Sequence, residues 1–224
     1  MTDGILPAAG LATRMRGLPK FLLPCDENYT TLIERHIIEM LDVCETAWIP
    51  TRPEQTILLE SLGLSSDRVV IVPMTTQTMT QTIMRLCAIS GAERFLMVMP
   101  DTYFFGEQPY EYLAASTSEM DLACWPIRQE QRGKLGQVLI QDLPEGVVLE
   151  SRDKDPNCEW THSWGAMAFN RGALSFASKD MPHTGYMIPK ILESGVEVRA
   201  RALDGTYFDC GTPREYLQML ELLT

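Results

Sequence analysis

The stretch LPAAGLATRMRGLPKFLLP spans residues 6–24. A short apolar strand over residues 4–8 leads into it. Ala8, Ala9 and Gly10 follow, then Arg14, Arg16 and Lys20, with no acidic residue between Leu11 and Pro24. Small residues let backbone N–H groups approach phosphate oxygens closely. Arg14 offers a planar fork to a phosphate, and Lys20 offers a mobile point charge. On its residues alone the turn is either a phosphate cradle or a strand–loop connection with solvated basic side chains. It is not a Walker loop, because G-x-x-x-x-G-K-[ST] is absent.

Outward from this turn, the apolar spacing alternates between two periods. Residues 31–43 are predicted helical, with Leu32, Ile33, Ile37, Met40 and Leu41 on one face and Thr31 and Glu34 forming a capping box. A strand follows at 46–51, a helix at 53–62 ending near Gly63, a β-branched strand at 69–73, a helix at 78–90 with Thr78 and Gln81 at its start, and a strand at 95–99 stopped by Pro100. Strand–helix alternation at this spacing predicts βαβ units and a mostly parallel sheet. The second half reads differently. Strands at 122–128, 136–141, 147–151 and 163–169 are closely spaced and are expected to add antiparallel neighbours. Helices are predicted at 111–116 and 184–194, strands at 196–203 and 206–208, and a closing helix at 213–223 capped by Thr212, Pro213 and Glu215. The expectation is one α/β domain over residues 1–224: a Rossmann-like three-layer fold with a mixed, mostly parallel central sheet. In such folds ligands bind beyond the carboxyl ends of the strands, so functional residues should lie at strand ends.

Composition narrows the function. The 224 residues carry 19 Lys and Arg against 30 Asp and Glu, a net charge of −11, which disfavours non-specific nucleic-acid binding. A cationic turn in so acidic a chain suggests a compact anionic ligand. No apolar run approaches the ~20 residues of a membrane span, and the N-terminus lacks the basic start of a secretory signal. The six cysteines form no CxxC pair and read as small core residues of a cytoplasmic protein. His36, His162 and His183 lack metal-ligand spacing, and His36 reads as structural. A homo-oligomer is compatible with these features.

Two aspartates stand at strand ends more than a hundred residues apart: Asp101 in Met99-Pro100-Asp101-Thr102, and Asp209 in Tyr207-Phe208-Asp209-Cys210-Gly211-Thr212-Pro213. Mg²⁺ is commonly held by one or two carboxylates together with phosphate oxygens. Each aspartate has a plainer reading, Asp101 as a turn residue and Asp209 as the approach to a helix cap. Gln77, Thr78 and Gln81 can offer amide or hydroxyl groups to a nucleobase, or serve only the helix start. Lys154, in Asp153-Lys154-Asp155-Pro156, is a ligand contact or a surface ion pair. Trp164 is an apolar wall beside Gly165 or a core aromatic.

Together these residues resemble nucleotidyltransferases that make nucleotide sugars, whose signature L-A-A-G-x-G-T-R is followed by P-K. The match falls on Leu6, Ala8, Ala9, Gly10, Thr13, Arg14, Pro19 and Lys20, with Pro7 and Ala12 departing from it. The family's strand-end aspartate corresponds to Asp101, with Pro100 in place of glycine, and its D-x-G-T-P stretch to Asp209–Pro213. The resemblance runs from Ile5 to about Leu217. It implies nucleotide binding by Ala8, Ala9, Gly10, Thr13, Gln77, Thr78 and Gln81, catalysis by Arg14 and Lys20, and Mg²⁺ on Asp101 and Asp209. It also implies acceptor contacts from Lys154, in a counterpart of the family's E-K-P element, and from Trp164 and Gly165. The implied reaction joins an NTP to a phosphorylated small-molecule acceptor, a sugar 1-phosphate, and releases pyrophosphate. Alternatives are a cytidylyltransferase acting on a phosphate such as phosphocholine, and an inactive nucleotide-binding regulatory subunit. A glycosyltransferase usually shows D-x-D, which Asp101-Thr102-Tyr103 lacks.

Overall fold

The computed structural model describes residues 2–10 and 15–223. Its strands are β1 (Thr2–Ile5), β2 (Ala47–Thr51), β3 (Val69–Pro73), β4 (Arg94–Val98), β5 (Thr102–Gly106), β6 (Met120–Pro126), β7 (Gly136–Ile140), β8 (Glu145–Asp153), β9 (His162–Asn170), β10 (Val198–Ala202) and β11 (Gly205–Asp209). Its helices are α1 (Leu32–Leu41), α2 (Pro53–Ser61), α3 (Met79–Ile89), α4 (Tyr110–Ala115), α5 (Met187–Glu193) and α6 (Pro213–Glu221). None of the helices described is long and apolar enough to cross a membrane.

Among the described residues, nine strands form one mixed sheet in the order β3-β2-β1-β4-β9-β6-β10-β8-β7. The first four are mutually parallel. β9 pairs antiparallel with both β4 and β6, and β7 and β8 extend the sheet antiparallel. Period-two alternation along the central strands feeds two cores. Leu96 and Val98 face one side with Ile33, Ile37 and Met40 of α1, Leu59 of α2 and Leu113 of α4. Phe95 and Met97 face the other with Ile83 and Leu86 of α3 and Ile188 and Ile191 of α5. The result is three layers, helices on both faces of the sheet.

β2 and β3 lie to one side of β1, whereas α3 carries the chain back so that β4 lies on the other. That reversal opens a crevice beyond the carboxyl ends of β1 and β4, where open α/β sheets take their ligands. The helix starts follow local chemistry. Thr31 makes a full capping box: the Glu34 N–H donates to its hydroxyl, and Glu34 Oε2 accepts from the Thr31 N–H at 2.7 Å. At α3 the box is shifted. Thr78 Oγ1 accepts from the Gln81 N–H at 3.1 Å, but the Gln81 amide oxygen accepts from Gln77 N–H at 2.9 Å.

Two departures from the sequence expectations bear on the site. β5 was not anticipated, because the strand reading stopped at Pro100. Its Tyr103 and Phe104 are buried, and it pairs antiparallel with β11 in a separate two-stranded sheet. The helix expected over 184–194 divides into a 3₁₀ turn, Thr184–Tyr186, followed by α5. Gly185 lies there against Trp164: a Cβ on Gly185 would come 2.4 Å from the indole. The six cysteines are buried and unpaired, and burial pushes the Cys25 thiol up to about 11.

Candidate active site

Lys20 and Asp101 meet across the crevice. Lys20 opens a 3₁₀ turn, Lys20–Leu22, and its Nζ donates to Asp101 Oδ2 at 2.5 Å. The pair is only partly open to solvent, 20% and 14% by side chain. Both partners are pinned through their own segments. Phe21 and Cys25 are buried, and Tyr216 Oη of α6 donates to the Pro24 carbonyl at 2.7 Å. The Asp101 carbonyl accepts from the Cys210 N–H at 3.0 Å. At the neighbouring residue, His36 Nε2 donates to the Thr102 carbonyl at 2.9 Å while its Nδ1 faces Tyr110 Oη at 2.5 Å. A carbonyl only accepts, so the ring proton is on Nε2. Burial holds His36 well below its ordinary value, at about 4, and keeps it neutral.

Asp209 joins this pair through the β5–β11 ladder, where it stands opposite Thr102, one residue beyond Asp101. The two carboxylates act on the same neighbours. Tyr207 and Cys210 are raised first by burial, and both aspartates add to the shift in each. Gly211 lets the Asp209 carboxylate fold back over the turn, since a Cβ on Gly211 would lie 2.8 Å from Asp209 Oδ1. Among the described residues no three His, Cys, Asp or Glu side chains assemble around one point. Two carboxylates that act on the same neighbours suit Mg²⁺, which keeps much of its shell for phosphate oxygens and water.

Next to the pair lies a cleft of about 240 Å³ walled by the loops after β1, β2, β3 and β4. Ala9 and Gly10 line it from the first loop, Arg52 from the start of α2, Thr76, Gln77, Thr78, Met79 and Thr82 from the start of α3, and Met99 from beyond β4. Gly10 faces open space, so its backbone is uncovered there. Three residues expected at the nucleotide have structural partners of their own. Ala8 is buried, and its N–H donates to the Pro50 carbonyl at 2.9 Å in a continuation of the sheet. The Gln81 amide is engaged at the start of α3 and does not line the cleft. The Thr78 hydroxyl, although at the cleft wall, caps α3 and donates to the Lys179 carbonyl at 2.7 Å. Thr13 and Arg14 lie outside the described residues. Arg52 was missed by the sequence reading. Its position between a predicted strand and Pro53 was the signal, because that is the carboxyl end of a parallel strand.

The acceptor candidates lie on the other side of β4. Val98 pairs with Ala166, so the ladder carries Gly165 and Trp164 alongside the segment leading to Asp101. Gly165 is sterically required: a Cβ there would come 2.6 Å from the Tyr207 ring and 2.9 Å from Trp125. Trp164 is half-buried, and a Cβ on Gly136 would lie 2.3 Å from its indole nitrogen. Lys154 is exposed at the end of β8, with a left-handed φ of 52° and its N–H donated to the Leu135 carbonyl at 3.2 Å.

Residues 4–152 match the MobA-like NTP transferase domain family. No curated protein matches the chain. Among solved structures, a UDP-glucose pyrophosphorylase complexed with UDP-glucose superposes with a TM-score of 0.79 at 15% identity, covering 100% of this chain and 98% of that one. A putative glucose-1-phosphate thymidylyltransferase from Bacillus anthracis gives 0.83 at 16% identity, covering 99% and 95%. The inositol-1-phosphate CTP transferase from T. maritima gives 0.76 at 14%, covering 99% and 95%. At these identities the likeness is one of fold.

Proposed function

The chain belongs to the MobA-like NTP transferase family, and from that premise we propose that this nucleotidyltransferase joins an NTP to a sugar 1-phosphate. The observation that carries the reading is the Lys20–Asp101 pair at the strand-order reversal, with Asp209 opposite Thr102 and a cleft of about 240 Å³ beyond the same strand ends. The names of the structural neighbours include glucose 1-phosphate, inositol 1-phosphate and the nucleotide sugar UDP-glucose, which supports a small phosphorylated acceptor.

The obstacle to the reaction is charge. An acceptor phosphate oxygen attacks the α-phosphorus, a new P–O bond forms, and the bond to the β-phosphate oxygen breaks as pyrophosphate leaves. The acceptor phosphate is already ionised near neutral pH, so no strong base is required. Two anions must instead be held in line. Lys20 bridges the α-phosphate and the acceptor phosphate, its ammonium kept in place by Asp101. Arg14, from the basic turn, grips the triphosphate. Ala9 and Gly10 present backbone to the phosphates, and Gln77 faces the base. Lys154 holds the acceptor phosphate, with Trp164 and Gly165 beside the acceptor body. Asp101 and Asp209 would hold Mg²⁺, which when bound supplies neutralisation of the reacting phosphates.

The test is pyrophosphate release from a matrix of the four NTPs and dTTP against sugar 1-phosphates, inositol 1-phosphate and phosphocholine. Turnover with a sugar 1-phosphate supports the reading. Turnover confined to phosphocholine with CTP replaces the acceptor class, and silence across the matrix with NTP binding retained supports a regulatory subunit instead.

A further inference from the structure

His183 belongs to no motif in the sequence, yet it closes a circuit of contacts on the acceptor side. Its Nδ1 accepts the Gly185 N–H at 3.2 Å, which leaves the ring proton on Nε2. Nε2 donates to Asp153 Oδ2, also at 3.2 Å. Asp153 stands opposite Gly136 in the β7–β8 ladder. Gly136 and Gly185 both pack so closely on the Trp164 indole that neither has room for a Cβ. The circuit therefore runs Asp153, Gly136, Trp164, Gly185, His183 and back to Asp153, joining three strands and a turn. His183 and Asp153 are largely enclosed, 14% and 18% exposed by side chain.

Lys154 follows Asp153 directly and holds a left-handed backbone with φ of 52°. For a residue other than glycine that conformation costs on the order of 1 kcal/mol or more and persists only where the surroundings over-determine it. The pinned Asp153 on one side and the Leu135 carbonyl on the other supply that constraint. Asp153 remains ionised in this setting. Burial pushes its carboxyl up, but His183, through its hydrogen bond and its charge, outweighs that together with the Lys154 charge and a hydrogen bond from Tyr186, and the group is held below its ordinary value.

We propose that His183 is a positioning residue for acceptor binding, acting through Asp153 to hold the Lys154 ammonium at the acceptor phosphate. The inference rests on the assignment of Lys154 to the acceptor in the proposed function. The experiment is steady-state pyrophosphate release by the full chain, with KM for acceptor and for NTP measured separately in the wild type, Lys154→Ala, His183→Phe and His183→Gln. Phenylalanine keeps the ring's shape and removes both nitrogens, whereas glutamine keeps an N–H donor for Asp153. His183→Phe is expected to raise the acceptor KM on the order of tenfold, the loss of one charge-assisted hydrogen bond, with the NTP KM unchanged. His183→Gln should recover most of that loss, and Lys154→Ala should exceed it. Equal behaviour of the Phe and Gln variants overturns the proposal, as does an acceptor KM within twofold of wild type in His183→Phe when Lys154→Ala raises it. If Lys154→Ala leaves the acceptor KM unchanged, the acceptor site itself is misassigned. Should His183→Phe lose its cooperative thermal unfolding, His183→Gln against Lys154→Ala decides: a rise in NTP KM or a fall in kcat alone in His183→Gln counts against positioning.

Discussion

The two halves of the sheet build their shares of the site by different means. In the parallel half, β1 to β4, each candidate segment is the loop that leaves a strand, and neighbouring strands bring those loops together automatically. In the antiparallel half, the candidate residues sit within or at the ends of strands, and ladder register and ring packing set their positions. The separate β5–β11 ribbon sets Asp209 opposite Thr102, next to Asp101, and Trp164 of β9 is placed by two glycines from different elements. The comparison shows that a parallel strand end is a local feature, whereas an antiparallel contact depends on segments far apart in the chain.

The largest effect should come where the halves meet. Asp101→Asn keeps the side chain's shape but removes the negative charge that holds Lys20. It should leave the thermal midpoint near wild type and lower kcat on the order of 10²–10³ or more at saturating Mg²⁺. Wild-type-like turnover would remove Asp101 from the site altogether. The next effect concerns the support beneath that junction. His36 is held neutral at about 4 in the fold against about 6.5 when unfolded. The unfolded chain therefore binds the extra proton between those values, and stability present above pH 6.5 is lost as pH falls towards 4. The contribution is about 3 kcal/mol. Thermal unfolding from pH 7 to pH 4 should show this slope, and His36→Gln should flatten it. An unchanged slope would place the acid sensitivity elsewhere.

Smaller effects sharpen the contrast between the halves. Gly165→Ala forces a methyl against Tyr207 and Trp125 in the antiparallel half and should cost about 1–3 kcal/mol of stability, read as a lowered thermal midpoint. A neutral outcome would mean that the rings have room to move. Arg52→Ala, in a loop of the parallel half, should leave stability nearly unchanged and raise the NTP KM several-fold, roughly 1 kcal/mol, without altering the acceptor KM. A change in the acceptor KM instead would break the division of labour between the two sides.

The legibility of the sequence follows the same division. The β1 turn, the start of α1 and the helices on both faces could be read from apolar periodicity and capping residues, because those signals are contained within a dozen neighbouring positions. Asp209 was readable as a candidate from its D-x-G-T-P setting, but its nearness to Asp101 was not, since the intervening β5 was hidden behind Pro100. Gln81 has two uses at a helix start, and the structure shows one of them, its amide oxygen accepting from the Gln77 N–H; local chemistry in the sequence does not choose between them. Arg52 drew no reading and His183 was read only for metal-ligand spacing, because the surroundings of each come from distant segments.

The amino-acid order thus specified the alternating elements and the candidate residues at their ends, because helix and strand periods and helix caps are short-range properties. Folding in three dimensions decided which of those residues lie near one another. The β5–β11 pairing, the crevice where strand order reverses and the His183 circuit all join segments tens of residues apart, and such contacts depend on register and packing that no short stretch encodes.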